Sequence, residues 1–357
     1  MAFNPAKYFL GTNSSEGFVS SFDKCYSCED NWKTFIIKGG PGTGKSSFMK
    51  SLQTYAEKEG IEYEIFPCSS DPNSLDAVIF PCKKLVVLDG TSPHIVEPVF
   101  PGCCEQILNF SDFWDRRKLE KTREEITFYT LKNRRQHRQA SGYLAAAGKI
   151  IENNLSIVNQ AIKKEKLDIF SKKLCKKYIN KKGEKAYEWI RYLGGVTPFG
   201  VADYSSSAVE NIKTVVPIKD DFGGVSSLVM ENIRAFALSQ NHQIIKVPNS
   251  FLPSKITDHI IIPKLSLSFV SITPYQSPKT NGRIIHSSRF LDKAILNENK
   301  KTIKENKKII NNIIDLGVST LKQAKTTHDI LEEYYIGAMD FKKSENLLNE
   351  FIKTNLQ

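Results

Sequence analysis

Long hydrophobic runs are missing from this chain of 357 residues. The most apolar stretch, around Ile260 to Ile272, is broken by Lys264 and by serines. It falls short of the roughly 20 apolar residues that a membrane-spanning helix requires, so no membrane span is expected. Cysteine is sparse and odd in number, 7 in all. Spread over a large chain, they point to reduced thiols and a cytoplasmic setting. Cys25-Tyr26-Ser27-Cys28 and Cys103-Cys104 offer two halves of a zinc site, but no second C-x-x-C pairs with the first, so free structural thiols are preferred. The opening Met1-Ala2-Phe3-Asn4-Pro5 has none of the charged and apolar regions of a secretory leader. Acidic residues are in deficit: 39 against 50 basic ones give a net charge of +11. Such a balance permits contact with nucleic acid, acidic proteins or anionic membrane, but lysine is abundant alongside asparagine and isoleucine, as compositional drift also produces. Hydrophobic content of 40% and charged content of 25% are those of a globular protein long enough for two domains.

Glycine is concentrated where it carries chemistry. Gly39-Gly40-Pro41-Gly42-Thr43-Gly44-Lys45-Ser46 follows the apolar run Phe35-Ile36-Ile37 and satisfies G-x-x-x-x-G-K-[ST]. Glycines let successive N–H groups turn inward around phosphates. Lys45 is expected to reach the β- and γ-phosphates, and Ser46 to hold Mg²⁺. Ser47 onwards reads as a helix whose N-terminus faces the anion. A strand at Ile61–Phe66 completes the strand–loop–helix–strand context. Leu85-Val86-Val87-Leu88-Asp89-Gly90 reads as a buried parallel strand delivering Asp89 to its C-terminal end as the second Mg²⁺-handling group. Alone, Asp89-Gly90 reads equally as a turn; the loop upstream favours the carboxylate role.

The chain repeats itself. Lys38, Gly42, Ser46 and Met49 are echoed by Lys219, Gly223, Ser227 and Met230, and Ser111, Phe113 and Asp115 by Ser288, Phe290 and Asp292. The second copy keeps scaffold and loses chemistry. Gly39 and Gly40 become Asp220 and Asp221, Gly44 becomes Val225, Lys45 becomes Ser226 and Asp89 becomes Ser271. Carboxylates in a phosphate cradle repel the ligand. Asp76 has a counterpart in Asp258 and is therefore read as structural. His94 and Glu97, in Thr91-Ser92-Pro93-His94-Ile95-Val96-Glu97, align with Gln276 and Lys279 and are lost, so they join the candidate catalytic residues beside Lys45 and Asp89. Asp71 is a further candidate base, and Arg116-Arg117 and Arg134-Arg135 are candidate charge-stabilising arginines.

Each α/β unit runs into a polar segment with a helical apolar stripe, from about 112 to 190 and from about 290 to 357. Two antiparallel hairpins are expected, with bends at Ser141-Gly142 and at Gly317 or Gly337, packing on each other or reaching a protein partner. Lysines from Lys163 to Lys185 read as a solvated face before a polyanion site.

The combined pattern resembles a little-characterised bacterial family of predicted ATPases with two tandem P-loop halves. The residues that carry it are Lys38 to Ser46, Cys68-Ser69-Ser70-Asp71-Pro72-Asn73-Ser74-Leu75-Asp76, Leu88-Asp89-Gly90-Thr91-Ser92-Pro93-His94 and Phe113-Trp114-Asp115. The resemblance implies ATP binding and hydrolysis, without a substrate or pathway. In that family both halves can look competent, whereas here the second loop, Lys219 to Ser227, departs from the pattern. The expectation is therefore an α/β protein of tandem P-loop NTPase-like three-layer units with mainly parallel sheets, an active domain at 1–190 and a degenerate one at 191–357. One site would bind ATP (or another NTP) with Mg²⁺ through Gly39, Gly40, Pro41, Gly42, Thr43, Gly44, Lys45, Ser46 and Ser47, and hydrolyse it. Two alternatives stand beside this: a kinase acting on a small molecule or nucleotide, and a nucleotide-gated binding module with little turnover.

Overall fold

A computed structural model describes residues 6–25, 28 and 31–357. Near the N-terminus a hairpin of β1 (Gly11–Ser14) and β2 (Gly17–Ser20) precedes β3 (Lys33–Lys38), α1 (Lys45–Glu59), β4 (Glu64–Pro67), β5 (Leu75–Phe80), β6 (Leu85–Asp89) and β7 (Glu105–Asn109). The last five strands form one sheet in the order β4-β5-β6-β3-β7. Around β3 it is parallel, with β6 on one side and β7 on the other. Beyond β6 it is antiparallel. The connection explains why: β5 passes to β6 through a tight turn at Pro81–Lys83, closed by Lys84 at φ 49°. A parallel crossover needs about a dozen residues or more. The sheet is thus mixed, where mainly parallel strands were expected.

Next come α2 (Arg116–Lys121), α3 (Arg123–Ala161) and α4 (Lys164–Tyr178), then β8 (Tyr187–Ile190), β9 (Gly194–Thr197), β10 (Gly200–Asp203) and α5 (Ser205–Val209). The chain continues through β11 (Thr214–Lys219), α6 (Gly224–Ser239), β12 (Gln243–Pro248), β13 (Thr257–Ile262), β14 (Leu267–Ile272) and β15 (Ile285–His286). It ends with α7 (Lys293–Glu298), α8 (Lys300–Ile336) and α9 (Phe341–Asn355). The second sheet runs β15-β11-β14-β13-β12-β8. Read from its β12 end it matches the first sheet strand for strand in order and direction, with β8 added at the edge.

The two sheets share a core, so their inner faces cover each other where separate three-layer units were expected. Ile36, Phe66, Ile79, Val86 and Leu88 of the first meet Ile245, Val247 and Ile261 of the second, with Leu193 of the β8–β9 connection. On the outer face of the first sheet, α1 buries Phe48, Met49, Leu52 and Ala56 and is joined by Phe351 of α9. On the outer face of the second, α6 is joined by Leu167, Leu174 and Cys175 of α4. Each sheet is therefore covered by a terminal helix that lies beyond the other sheet's partner helix in sequence. Burying a branched or aromatic side chain contributes about 1.5–3 kcal/mol, so the exchanged helices are structural parts of the sheets they cover.

The helical segments differ from the hairpins expected. Both α3 and α8 are continuous, and they pair antiparallel with each other: Asn133 Nδ2 donates to Ala324 O at 2.7 Å, Leu144 lies against Gly317, and Asn306 Nδ2 donates to Asn154 Oδ1 at 2.8 Å. No bend occurs at Ser141-Gly142 or at Gly317. At Gly317 the missing side chain admits Leu144 from the facing helix, so the glycine serves close approach. The break at Gly337 is real, since α8 ends there. Among the described residues no helix is long and apolar enough to cross a membrane. The lysines of α4 lie on its exposed side, opposite buried Leu167, Leu174 and Cys175.

Not all the cysteines are the free thiols expected. Cys28 and Cys104 form a disulfide, and Cys103 lies beside them, the three Sγ atoms within 4.8 Å of one another. Cys25 is buried and free; Tyr26 and Ser27, between the two cysteines, lie outside the described residues.

Candidate functional site

The loop Gly39 to Gly44 leaves the C-terminal end of β3 and enters α1. Gly42 at φ 67° and Gly44 at φ 85° adopt the left-handed conformation that glycine takes without penalty. The Thr43 hydroxyl donates to Gly40 O at 2.8 Å and stiffens the turn. Lys45 opens α1 and folds back over the loop, its Nζ donating to Gly40 O at 2.7 Å and Gly39 O at 3.3 Å. Parallel pairing sets Ile37 of β3 beside Asp89 of β6. The Asp89 Oδ2 lies 3.6 Å from Lys45 Nζ, and neither side chain is more than 14% exposed. Thr91 locks the other oxygen, donating to Asp89 Oδ1 from its N–H at 2.9 Å and its hydroxyl at 2.6 Å. The Ser46 hydroxyl accepts from the Leu75 N–H at 2.9 Å, and Ser47 completes the first turn of α1. Hard oxygen donors at Ser46 and Asp89 suit Mg²⁺. The loop is a cradle that side chains would fill: a Cβ at Gly39 would stand 2.8 Å from the Thr43 hydroxyl, and one at Gly40 2.8 Å from the Tyr335 ring.

Asp76 belongs to this neighbourhood, although its counterpart in the second copy had marked it as structural. It is buried on β5, and its pKa is pushed up to about 6 by burial, by the nearby charge of Asp89 working the same way, and against the pull of His94 and Lys45. His94 is buried too, its ring stacked on Phe22 at 4.2 Å and its Nε2 4.0 Å from Asp76 Oδ1. Among the described residues neither ring nitrogen makes a hydrogen bond. Glu97 sits at the rim, 66% exposed, and accepts from Lys38 Nζ at 2.5 Å. The same ammonium donates to Gly90 O and Val96 O, pinning the segment that follows Asp89. Asp71 is tied into its own turn and lies 3.3 Å from Lys325 Nζ. The candidate arginines are elsewhere: Arg116 faces solvent beside Glu120, and Arg134 and Arg135 are exposed on α3.

Sequence reasoning missed the face that α8 turns to the loop. Glu332 Oε1 accepts from the Gly42 N–H at 3.3 Å, and a Cβ at Gly42 would collide with Glu332 O at 2.7 Å. His328 lies 3.4 Å from the same carboxylate; its hydrogen bond to Glu332 holds that pKa below the usual range, against burial. Lys325 bridges Asp71 and Asp329. Tyr335 flanks Gly40, with Trp114 on the other side of the same position. The signal available was the helical spacing of Lys325, His328, Glu332 and Tyr335 on one face of α8, though nothing in the spacing names the loop it meets.

The second loop is closed. Gly224, the counterpart of Thr43, already lies in α6, whereas α1 starts only at Lys45. Winding those residues into the helix removes the cradle. The Asp220 carboxylate accepts from the Ser226 N–H at 2.8 Å and the Phe222 N–H at 3.3 Å. Where Asp89 stands in the first sheet, Ser271 is buried and its N–H donates to His259 Nδ1 at 3.1 Å. Burial pushes the Asp258 carboxyl up to about 7 and the His259 imidazole down to about 4. Val225 and Ser226 are fully buried, so the second loop is part of the core.

In comparisons with protein-family models, curated proteins and solved structures, none matches this chain.

Proposed function

We propose that the chain is an ATP-binding protein that hydrolyses ATP with Mg²⁺ at one site, the loop of its N-terminal half, and that its second half is a duplicated unit retained as scaffold. One observation carries the reading. Lys45 and Asp89, the pair that the second copy lacks, meet at 3.6 Å over a glycine-built loop at the ends of adjacent parallel strands. Lys45 and the loop N–H groups would stabilise charge developing on the transferred phosphoryl group. Ser46 and Asp89 would hold Mg²⁺, which would supply neutralisation of phosphate charge when bound. Asp76, whose pKa burial pushes up to about 6, would exchange a proton near this centre.

A second reading, a nucleotide-gated binding module with slow turnover, is favoured by one contact. Glu332 of α8 occupies the N–H of Gly42, so phosphate entry has to compete with a helix that spans much of the molecule. Phosphate-release and calorimetric binding assays on wild type, Lys45→Ala and Asp89→Ala test both. ATP binding lost with Lys45→Ala supports the site, and turnover in the wild type distinguishes hydrolase from gate. Unchanged binding and hydrolysis in Lys45→Ala would end the proposal.

A further inference from the structure

We infer that the cleft between Trp114 and Phe341 is the nucleobase subsite of this loop, an inference that rests on the nucleotide reading above. The cleft, about 460 Å³, is lined by Phe113, Trp114, Lys118, Met339, Phe341 and Lys343 among others. It opens directly beside the cradle. The Trp114 ring lies 3.3 Å from where a Cβ on Gly40 would stand, and the Phe341 ring 3.5 Å from the same point on Gly44. Phe341 is 46% exposed at the start of an otherwise polar helix turn, and the Trp114 ring is braced from behind by Tyr335 at 5.7 Å.

Both halves of the chain build the walls. The Asp115 N–H donates to Ala338 O and the Asp340 N–H to Phe113 O, each at 2.7 Å. The carboxylates of Asp115 and Asp340 cap α2 and α9, so they hold the walls while Lys118, Lys342 and Lys343 give the rim the sign that suits a polyphosphate ligand.

The second half supplies the control. It has the same backbone clasp, with the Asp292 N–H donating to Ala161 O and the Lys163 N–H to Phe290 O, each at 2.8 Å. Yet Leu291 stands at the Trp114 position and Lys164 at the Phe341 position. Among the described residues, the second clasp therefore has no counterpart of the Trp114 and Phe341 rings that stand beside the loop with Lys45 and Asp89. Stacking a base on an aromatic side chain contributes about 1–3 kcal/mol.

The test is calorimetric affinity for ATP and for inorganic tripolyphosphate, both with Mg²⁺, in wild type, Trp114→Leu, Phe341→Lys, Phe341→Ala and Lys45→Ala, with circular dichroism melts to confirm folding. Wild type should prefer ATP to tripolyphosphate by about tenfold or more. Trp114→Leu and Phe341→Lys should each erase most of that preference; Trp114→Leu should leave tripolyphosphate affinity unchanged, and the added ammonium of Phe341→Lys should raise it. Should Trp114→Leu fail to fold, the half-exposed Phe341→Ala carries the same prediction. Lys45→Ala should weaken both ligands. Equal wild-type affinity for the two ligands, or ATP affinity indifferent to Trp114 and Phe341 while Lys45→Ala still weakens it, overturns the base subsite and leaves the loop reading standing. Binding indifferent to Lys45→Ala overturns both.

Discussion

The loops at Gly39 and at Asp220 occupy the same place in two sheets of the same strand order, and they satisfy their backbone in opposite ways. Both keep a glycine at positive φ, Gly42 and its counterpart Gly223, but the first has a second one at Gly44 and covers its carbonyls with the Lys45 ammonium. The second winds its turn into α6 and satisfies the freed N–H groups with the Asp220 carboxylate. Orphan N–H groups at a helix start need an acceptor. In the second loop Asp220 accepts from two of them, and in the first Glu332 of α8 accepts from the Gly42 N–H. What distinguishes the two halves is therefore which part of the chain faces the N–H groups: a residue of the loop itself in the second, a residue of a distant helix in the first.

Among the largest effects should be that of importing the second loop's solution into the first. Gly39→Asp places a carboxylate in the cradle, and ATP affinity in titration calorimetry should fall by a hundredfold or more (~3 kcal/mol). Lys45→Ala and Asp89→Ala should lower phosphate release by about 10²–10³-fold, the cost of removing one pre-organised charge partner. In the other direction, Asp220→Ala strands the buried Ser226 N–H and the half-buried Phe222 N–H. Stability in a denaturant melt should drop by about 1–3 kcal/mol, with ATP affinity at the first loop unchanged. Glu332→Ala removes the resident carboxylate from Gly42 and should tighten ATP binding about three- to tenfold; weaker binding would show that α8 contributes to the ligand and does not compete with it.

The smallest effect concerns a carboxylate that both halves keep. Burial raises Asp258 from 3.8 to about 7 and Asp76 from 3.8 to about 6. In each case the folded chain holds the proton more tightly than the unfolded chain. The stability they contribute is full below about pH 4 and is lost as pH rises through 7 or 6 respectively. Asp258→Asn should raise the melting temperature at pH 8 relative to wild type and give no such gain at pH 4. A gain independent of pH would place its origin in packing.

Much of the first site was legible because local chemistry restricts it: few residue types permit a loop at positive φ followed by an ammonium, and a short apolar strand ending in Asp89 has one end at which to deliver it. Strand direction was less legible. Leu75 to Phe80 is buried on every residue, and such a strand reads alike in parallel and antiparallel sheets. Only the shortness of the Pro81–Lys84 connection forces the reversal. Ser141-Gly142 looked like a bend, but a single glycine costs a helix only about 1 kcal/mol, and the long packing of α3 on α8 holds it straight. An amphipathic stripe names a buried face and leaves its partner open, which is why the α3–α8 pairing, the exchange of α4 and α9, and the approach of Glu332 to Gly42 lay beyond the sequence. Asp76 was set aside because Asp258 matches it; the match is real, while the charges around the two differ.

The most direct test is the stoichiometry of ATP binding by calorimetry in wild type and Lys45→Ala, with Mg²⁺ present. One ATP per chain in the wild type and none at the same concentrations in Lys45→Ala is the predicted result. Two per chain, or one that persists without Lys45, would contradict it.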